Sequence, residues 1–312
     1  MATAPKPSAL GVAAVGHPFF AARYRTVAAD YWALTKPEIN FLIAIATSAG
    51  FYLGCPSQPH GFPFLLLIHT LVGTLLVAGG TGTLNQYVER RFDAQMRRTR
   101  RRPLAAGRVD PSSVLRFGIL LSVTGCIYLA VAVNLLASLL AVLTLASYLG
   151  VYTPLKRKTP LCTVAGALPG AMPPLIGWAA TAGKLSLEAW ILYAILFFWQ
   201  FPHFMAIAWM YREDYSRAGY LVLPLGEQGG RLMSWQALVA SLVLIPVSLS
   251  PTVIGSVGPA YFVVVSLLSS GFLYHSARLA LHRSNAAARR LLMTSLIYLP
   301  LVFFLMVVLV KR

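Results

Sequence analysis

Asn85, Glu89 and Asp93 stand four residues apart where an apolar run meets the densest charge in the chain, NQYVERRFDAQMRRTRRRPLAAGR over 85–108. On a continuous helix they share one face, drifting about 40° per step over roughly 12 Å. Such a row of oxygen ligands suits a hard cation such as Mg²⁺, which shares its ligands with substrate phosphates. Arg97, Arg98, Arg100, Arg101 and Arg102 follow at once. Carboxylates for a metal beside guanidiniums for phosphate point to a diphosphate site at a membrane surface. The plainer reading is an arginine-rich loop required by topology, with the acids as its countercharges. The four-residue spacing and a second acidic cluster further along favour the site.

The elements that must position these residues are membrane helices. Hydrophobic residues make up 57% of the chain and charged ones 11%, with a mean hydropathy of +0.69, too apolar for a soluble core. The net charge of +17 lies between apolar segments, with no basic domain or aromatic-interleaved patch. That argues against nucleic acid and for membrane lipid as the surroundings. Nine apolar segments follow one another, at roughly 38–54, 63–88, 114–133, 135–154, 163–182, 188–210, 235–253, 259–277 and 291–310. The expected fold class is therefore all-α, a polytopic nine-helix membrane domain over 38–310 behind a mobile cytoplasmic tail over 1–37. The turn between the third and fourth segments rests on Asn134 alone.

Of 26 Lys and Arg, 23 fall in the tail and in alternate connections, while only Lys184, Lys311 and Arg312 lie opposite. The positive-inside rule puts the N-terminus in the cytoplasm and the C-terminus outside, as an odd helix count demands. The tail lacks the apolar run and cleavage site of a signal peptide. Arg23 and Arg25 in an acid-poor stretch resemble a transit peptide only weakly, because the stretch is not Ser-rich. A bacterial inner membrane is the expected location, ahead of the mitochondrial one.

The nine acids sort by elimination. Glu38 and Glu188 sit in first helical turns, Asp110 precedes Pro111 as an N-cap would, Asp30 is in the tail and Glu227 in a loop. Glu89, Asp93, Glu213 and Asp214 remain, all where a helix emerges on the cytoplasmic side. The two clusters end the second and sixth helices, which run the same way, as in a parallel internal repeat. Gly79, Gly80 and Gly82 lack the following Gly-Lys-Ser/Thr of a nucleotide loop and suit close helix packing. Pro169, Gly170, Pro173, Pro174 and Gly177 interrupt the fifth helix, a break tolerated against protein or a wet cavity, so that helix is expected to line the pocket. His203, in FFWQFPHFMAIAW, is an ionisable group inside a membrane helix and thus a functional candidate, though a lone buried histidine commonly only fills a hydrogen bond. Cys55, Cys126 and Cys162 have neither metal-ligand spacing nor a disulfide framework.

The 85–109 stretch resembles the first signature, Asn-x-x-x-Asp-x-x-x-Asp, of the UbiA superfamily of membrane prenyltransferases. YTPLK at 152–156 is similar to its Tyr-x-x-x-Lys motif, and REDYSRAGY at 212–220 takes the place of its second acidic motif. MRRTRRRPL, YTPLKRKTP, GAMPPLIGW and FWQFPHFMAIAWMYREDYSRAGY, in that order, narrow the likeness to the haem-farnesylating branch, over roughly 30–305. Glu89 stands for the commoner Asp, adjacent Glu213 and Asp214 for a spaced pair, Cys162 for an expected Asn and Glu38 for an Arg.

The resemblance implies a UbiA-like bundle with a central cavity and Mg²⁺-dependent transfer of farnesyl from farnesyl diphosphate to a vinyl group of haem B, giving haem O. It implies catalytic roles for Asn85, Glu89, Asp93, Lys156, Asp214 and His203. Asn85, Glu89 and Asp93 would hold one ion, with Glu213 and Asp214 contributing to a second. Arg97, Arg98, Arg102, Tyr152, Arg157 and Glu213 would bind substrate, with the 89–113 loop closing over it. His203 could meet haem iron or take a proton. A haem A synthase or oxidase assembly factors are the further partners implied. Two rival readings are a relative acting on an aromatic quinone precursor and, in another class, a secondary transporter. The transporter reading leaves paired acidic clusters beside Lys156 and the arginines without work.

Overall fold

Apolar runs of bilayer length fold into helices along the whole chain. The computed structural model describes residues 27–55, 61–222 and 227–311. Its helices are α1 (Val27–Leu34), α2 (Pro37–Gly54), α3 (Phe64–Asp93), α4 (Pro111–Ala132), α5 (Leu135–Ser147), α6 (Thr153–Leu155) and α7 (Cys162–Gly170). There follow α8 (Pro173–Ala182), α9 (Leu187–Met210), α10 (Arg212–Arg217), α11 (Glu227–Val253), α12 (Pro259–His282) and α13 (Asn285–Leu309). A π-turn at Tyr148–Tyr152 joins α5 to α6 as one rod, Leu135–Leu155.

Among the described residues, seven helices are long and apolar enough to cross a membrane: α3, α4, the α5–α6 rod, α9, α11, α12 and α13. Two of the nine expected segments fall short. α2 has 18 residues with Pro37 and Glu38 in its first turn, and the fifth segment breaks at Ala171 into α7 and α8. Large apolar side chains face outward over the bundle, Val131 and Leu267 among them, as lipid contact requires and water does not tolerate. The core is a continuous apolar cluster built mainly from α2, α5, α8, α9, α11, α12 and α13, joined by Val77 of α3 and Leu129 of α4.

Sequence signals placed several boundaries well. Asn134 caps α5, its Oδ1 accepting from Ala137 N at 2.9 Å while Nδ2 donates to Ala179 O at 2.8 Å. Asp110 caps α4 through Ser113 N at 2.8 Å. Of the α3 glycines, Gly80 packs closely on a neighbouring helix, because a Cβ there would overlap Ser122 of α4. The broken fifth segment serves packing too. A Cβ on Gly177 would overlap the Thr47 carbonyl of α2, and one on Gly50 would overlap the Pro174 carbonyl of α8. Backbone cannot give way as a side-chain tip can. Gly177→Ala is therefore expected to cost at least about 1–3 kcal/mol, read as a lower thermal midpoint in detergent. An unchanged midpoint would contradict this packing.

One expectation is corrected. Residues 27–34, assigned to a mobile tail, form α1, with Leu34 fully buried against Val114 and Leu104 and with Asp30 also buried. Residues 1–26, which include Arg23 and Arg25, lie outside the described residues.

Candidate active site

α3 carries Asn85, Glu89 and Asp93 on one buried face, as the four-residue spacing predicts. Each meets a cation or amine from a different element. Lys36, at the turn between α1 and α2, donates from Nζ to Asn85 Oδ1 at 2.8 Å. Lys156, just past α6, donates to Glu89 Oε1 at 2.8 Å. Arg102 of the following loop donates to Asp93 Oδ2 at 2.7 Å. Three positive groups thus line the row of oxygen-bearing side chains, an arrangement complementary to phosphate oxygens.

Lys36 adopts a left-handed backbone (φ 56°), uncommon for a residue with a β-carbon. This turn aims the amine inward rather than along the surface. Burial, together with Arg102 and Lys156 nearby, brings its pKa down to about 7. An approaching anion favours the protonated form again, so the group is poised to take up charge with a phosphate. Sequence reasoning counted Lys36 merely as a tail cation; its one signal was its place directly before Pro37 at a helix start.

Tyr152 lies beneath Lys156, whose Nζ is 4.5 Å from the ring centroid, and Gly166 of α7 packs on the same ring. The broken helix therefore supports the site through Tyr152. Arg157 covers Phe92 at 4.4 Å. Tyr220, unremarked in the sequence, packs with Met96 and Ala218, its hydroxyl buried and unpartnered.

The second acidic region is also brought close. Asp214 accepts from Arg98 N at 3.1 Å and from the Arg217 guanidinium, so it ties the loop after α3 to α10. Arg98 also donates to Tyr215 OH at 3.3 Å and lies over Tyr211. Arg97, Arg98, Glu213, Asp214 and Arg217 line a cavity of about 420 Å³. Glu213 is exposed there. At the loop's other end, Arg108 clasps Asp30 with Nε at 3.1 Å and Nη2 at 3.0 Å. The loop is thus held over the site at Asp93, Asp214 and Asp30. Arg108→Gln leaves Asp30 buried without its charge partner, so trypsin is expected to cut the 97–102 arginines several times faster. Equal rates would show that the clasp does not restrain the loop.

His203 sits apart from this set. Its Nδ1 is 2.8 Å from Ser295 Oγ of α13, and its ring stacks on Trp199 at 4.7 Å. Ser295 Oγ already donates to Leu292 O at 2.6 Å, so it accepts from His203 Nδ1–H. The ring then carries its lone pair on Nε2.

A profile of the UbiA prenyltransferase family matches residues 43–307. The chain belongs to the UbiA prenyltransferase family. UbiA relatives include a protoheme IX farnesyltransferase of Solibacter usitatus (strain Ellin6076), 48% identical over 89% of this chain and 97% of that one. Another is a protoheme IX farnesyltransferase of Koribacter versatilis (strain Ellin345), 40% identical over 89% and 92%. Among solved UbiA-like structures, a digeranylgeranylglyceryl phosphate synthase superimposes with a TM-score of 0.70 at 17% identity, covering 89% of this chain and 96% of that one. A UbiA homologue from Archaeoglobus fulgidus bound to GPP and Mg²⁺ gives 0.61 at 15% identity, covering 90% and 100%. These two establish the fold, and family membership removes the transporter reading.

Proposed function

We propose that this protein transfers the farnesyl group of farnesyl diphosphate to a vinyl group of haem B, producing haem O and diphosphate. The observation that carries the catalytic part is the α3 face, with Asn85, Glu89 and Asp93 each opposed by a cation. The acceptor rests on the protoheme IX farnesyltransferases that match the chain almost end to end.

Among the described residues no three His, Cys, Asp or Glu side chains converge enough to grip an ion by themselves. The donor set nevertheless fits Mg²⁺. Asp93 Oδ1 is buried with no hydrogen-bond partner, Glu89 lies one turn below, and Asn85 adds a neutral oxygen. These three residues would hold the ion, with diphosphate oxygens completing its shell, and Mg²⁺ would supply charge neutralisation to the leaving group. Asp214 would join a second ion only by releasing Arg217.

The chain's own residues then do the following. Lys36, Lys156 and Arg102 turn from their side-chain partners to phosphate oxygens, stabilising the charge that grows as the allylic C–O bond breaks. The loop held by Asp30 and Asp214 keeps water from the allylic cation. The terminal vinyl carbon attacks that cation and forms the new C–C bond. The positive charge left beside the porphyrin ring takes up a water, which loses a proton, so one water is consumed per diphosphate released. His203, its ring oriented by Ser295 and its lone pair on Nε2, would bind the iron of the haem substrate. A ligating imidazole is characteristically oriented by a hydrogen bond from its other nitrogen. His203→Ala should then change the absorption spectrum of bound haem and leave farnesyl diphosphate affinity unaltered. An unshifted spectrum in the folded variant discards the ligand role.

The same reading includes nine spans, α2 and the α7–α8 pair completing the seven, with a cytoplasmic N-terminus and a C-terminus outside in a bacterial inner membrane. Reporters fused to both ends should respond from opposite sides. The acceptor is tested by giving membranes that carry the protein farnesyl diphosphate with haem B or with 4-hydroxybenzoate. Haem O formation supports the proposal; prenylation of 4-hydroxybenzoate instead overturns it.

A further inference from the structure

A second basic pocket opens at the same end of the bundle, outside the diphosphate machinery. Arg212, at the start of α10, donates to Asn285 Oδ1 at 2.9 Å, which sets the α12–α13 hairpin level with the active site. Tyr274, His275, Arg278 and His282 on α12, with Ser284 and Arg290 across the hairpin, line a cavity of about 180 Å³. Two guanidiniums and two imidazoles face it and, among the described residues, no carboxylate does. The start of α13 adds the positive end of a 25-residue helix. Tyr274 OH accepts from Arg278 Nη1 at 3.1 Å and holds that guanidinium in place. Sites for whole small molecules occupy about 300–1,000 Å³. This smaller space suits an anionic headgroup.

The helix surfaces below the pocket decide what carries that anion. Leu267 lies seven residues from Tyr274 on the same stripe of α12 and is 70% exposed. Met293 and Ile297, three and seven residues beyond Arg290 on α13, are 48% and 59% exposed. An apolar stripe thus runs from the basic pocket into the membrane on both helices, as an amphiphile with an anionic head would require. We propose that this pocket binds the phosphodiester headgroup of an anionic phospholipid, its acyl chains lying along Leu267, Met293 and Ile297. Free phosphate or diphosphate shares the headgroup chemistry but has no use for the stripe. Basic pockets between membrane helices bind anionic headgroups by this combination of charge and apolar surface.

The test is retention of phosphatidylglycerol against phosphatidylcholine by the full-length protein, read by native mass spectrometry from mixed micelles. Each basic residue near a membrane surface contributes about fivefold, so Arg278→Gln with Arg290→Gln should lose roughly thirtyfold in preference. Prenyl transfer by that variant in phosphatidylcholine should match the wild type, because neither arginine belongs to the catalytic set. Should the double variant fail to accumulate, Arg290→Gln alone, at an exposed position, should lose about fivefold. Millimolar inorganic phosphate or diphosphate should not displace the lipid. A variant with undiminished preference overturns the proposal, and so does displacement by the free anions, which would make this a soluble-anion site. Lipid retention is read without turnover, so its failure and a failure of the prenyl-transfer reading are separate results.

Discussion

Asp93→Asn is expected to lower turnover by about three orders of magnitude while the protein still folds and inserts. Removing a single group that stabilises developing negative charge costs about 10²–10³ in rate, and Asp93, which pairs with Arg102, would also hold the proposed ion. Among the described residues, its Oδ1 is the one carboxylate oxygen on the α3 face that is buried without a hydrogen-bond partner. The stability cost is modest, because Arg102 is still partly solvated and asparagine keeps an oxygen for it. Glu89→Asp should behave differently and keep substantial activity, since it retains the carboxylate and shortens only its reach. The check is single-turnover product formation across a Mg²⁺ titration, beside thermal unfolding of each variant. Near-normal rates for Asp93→Asn at low Mg²⁺ would remove the metal role.

Lys156→Met should lose both activity and stability, and a second substitution should separate the two. The Lys156 and Glu89 side chains are 13% and 7% exposed and pair at 2.8 Å, so removing the amine strands a buried carboxylate. Breaking such a pair costs about 3–5 kcal/mol, whereas neutralising both partners is far cheaper. Lys156→Met combined with Glu89→Gln should therefore regain most of the thermal midpoint. Its turnover should stay at least about a hundredfold down, because the cation that would meet the diphosphate and the carboxylate that would hold the ion are both gone. Recovery of activity along with stability would show that the pair only holds the fold.

The part of the site legible in the sequence is the part that local geometry writes. Asn85, Glu89 and Asp93 share a helix face because of their spacing, and Asp110 and Asn134 cap helices through bonds three residues long. Most spans were visible because each needs a long apolar run. The break in the fifth segment was marked by Pro173 and Pro174, but its use was not, since Gly177 against Thr47 depends on how two distant helices cross. Lys36 was missed for the same reason: its role arises from a left-handed turn between α1 and α2 that carries the amine 49 residues along the chain to Asn85. Asp30, set aside as part of a tail, gains its role from Arg108, 78 residues away. Asp214 was noticed as an acid, yet its bond to Arg98 N depends on where the loop folds back.

The most direct measurement is a single turnover of the purified protein in nanodiscs with farnesyl diphosphate, haem B and Mg²⁺, following diphosphate and porphyrin products together. The account predicts haem O and diphosphate in equal amounts, with both lost in Asp93→Asn. Diphosphate released without a prenylated porphyrin, or haem O formed at the wild-type rate by Asp93→Asn, would contradict it.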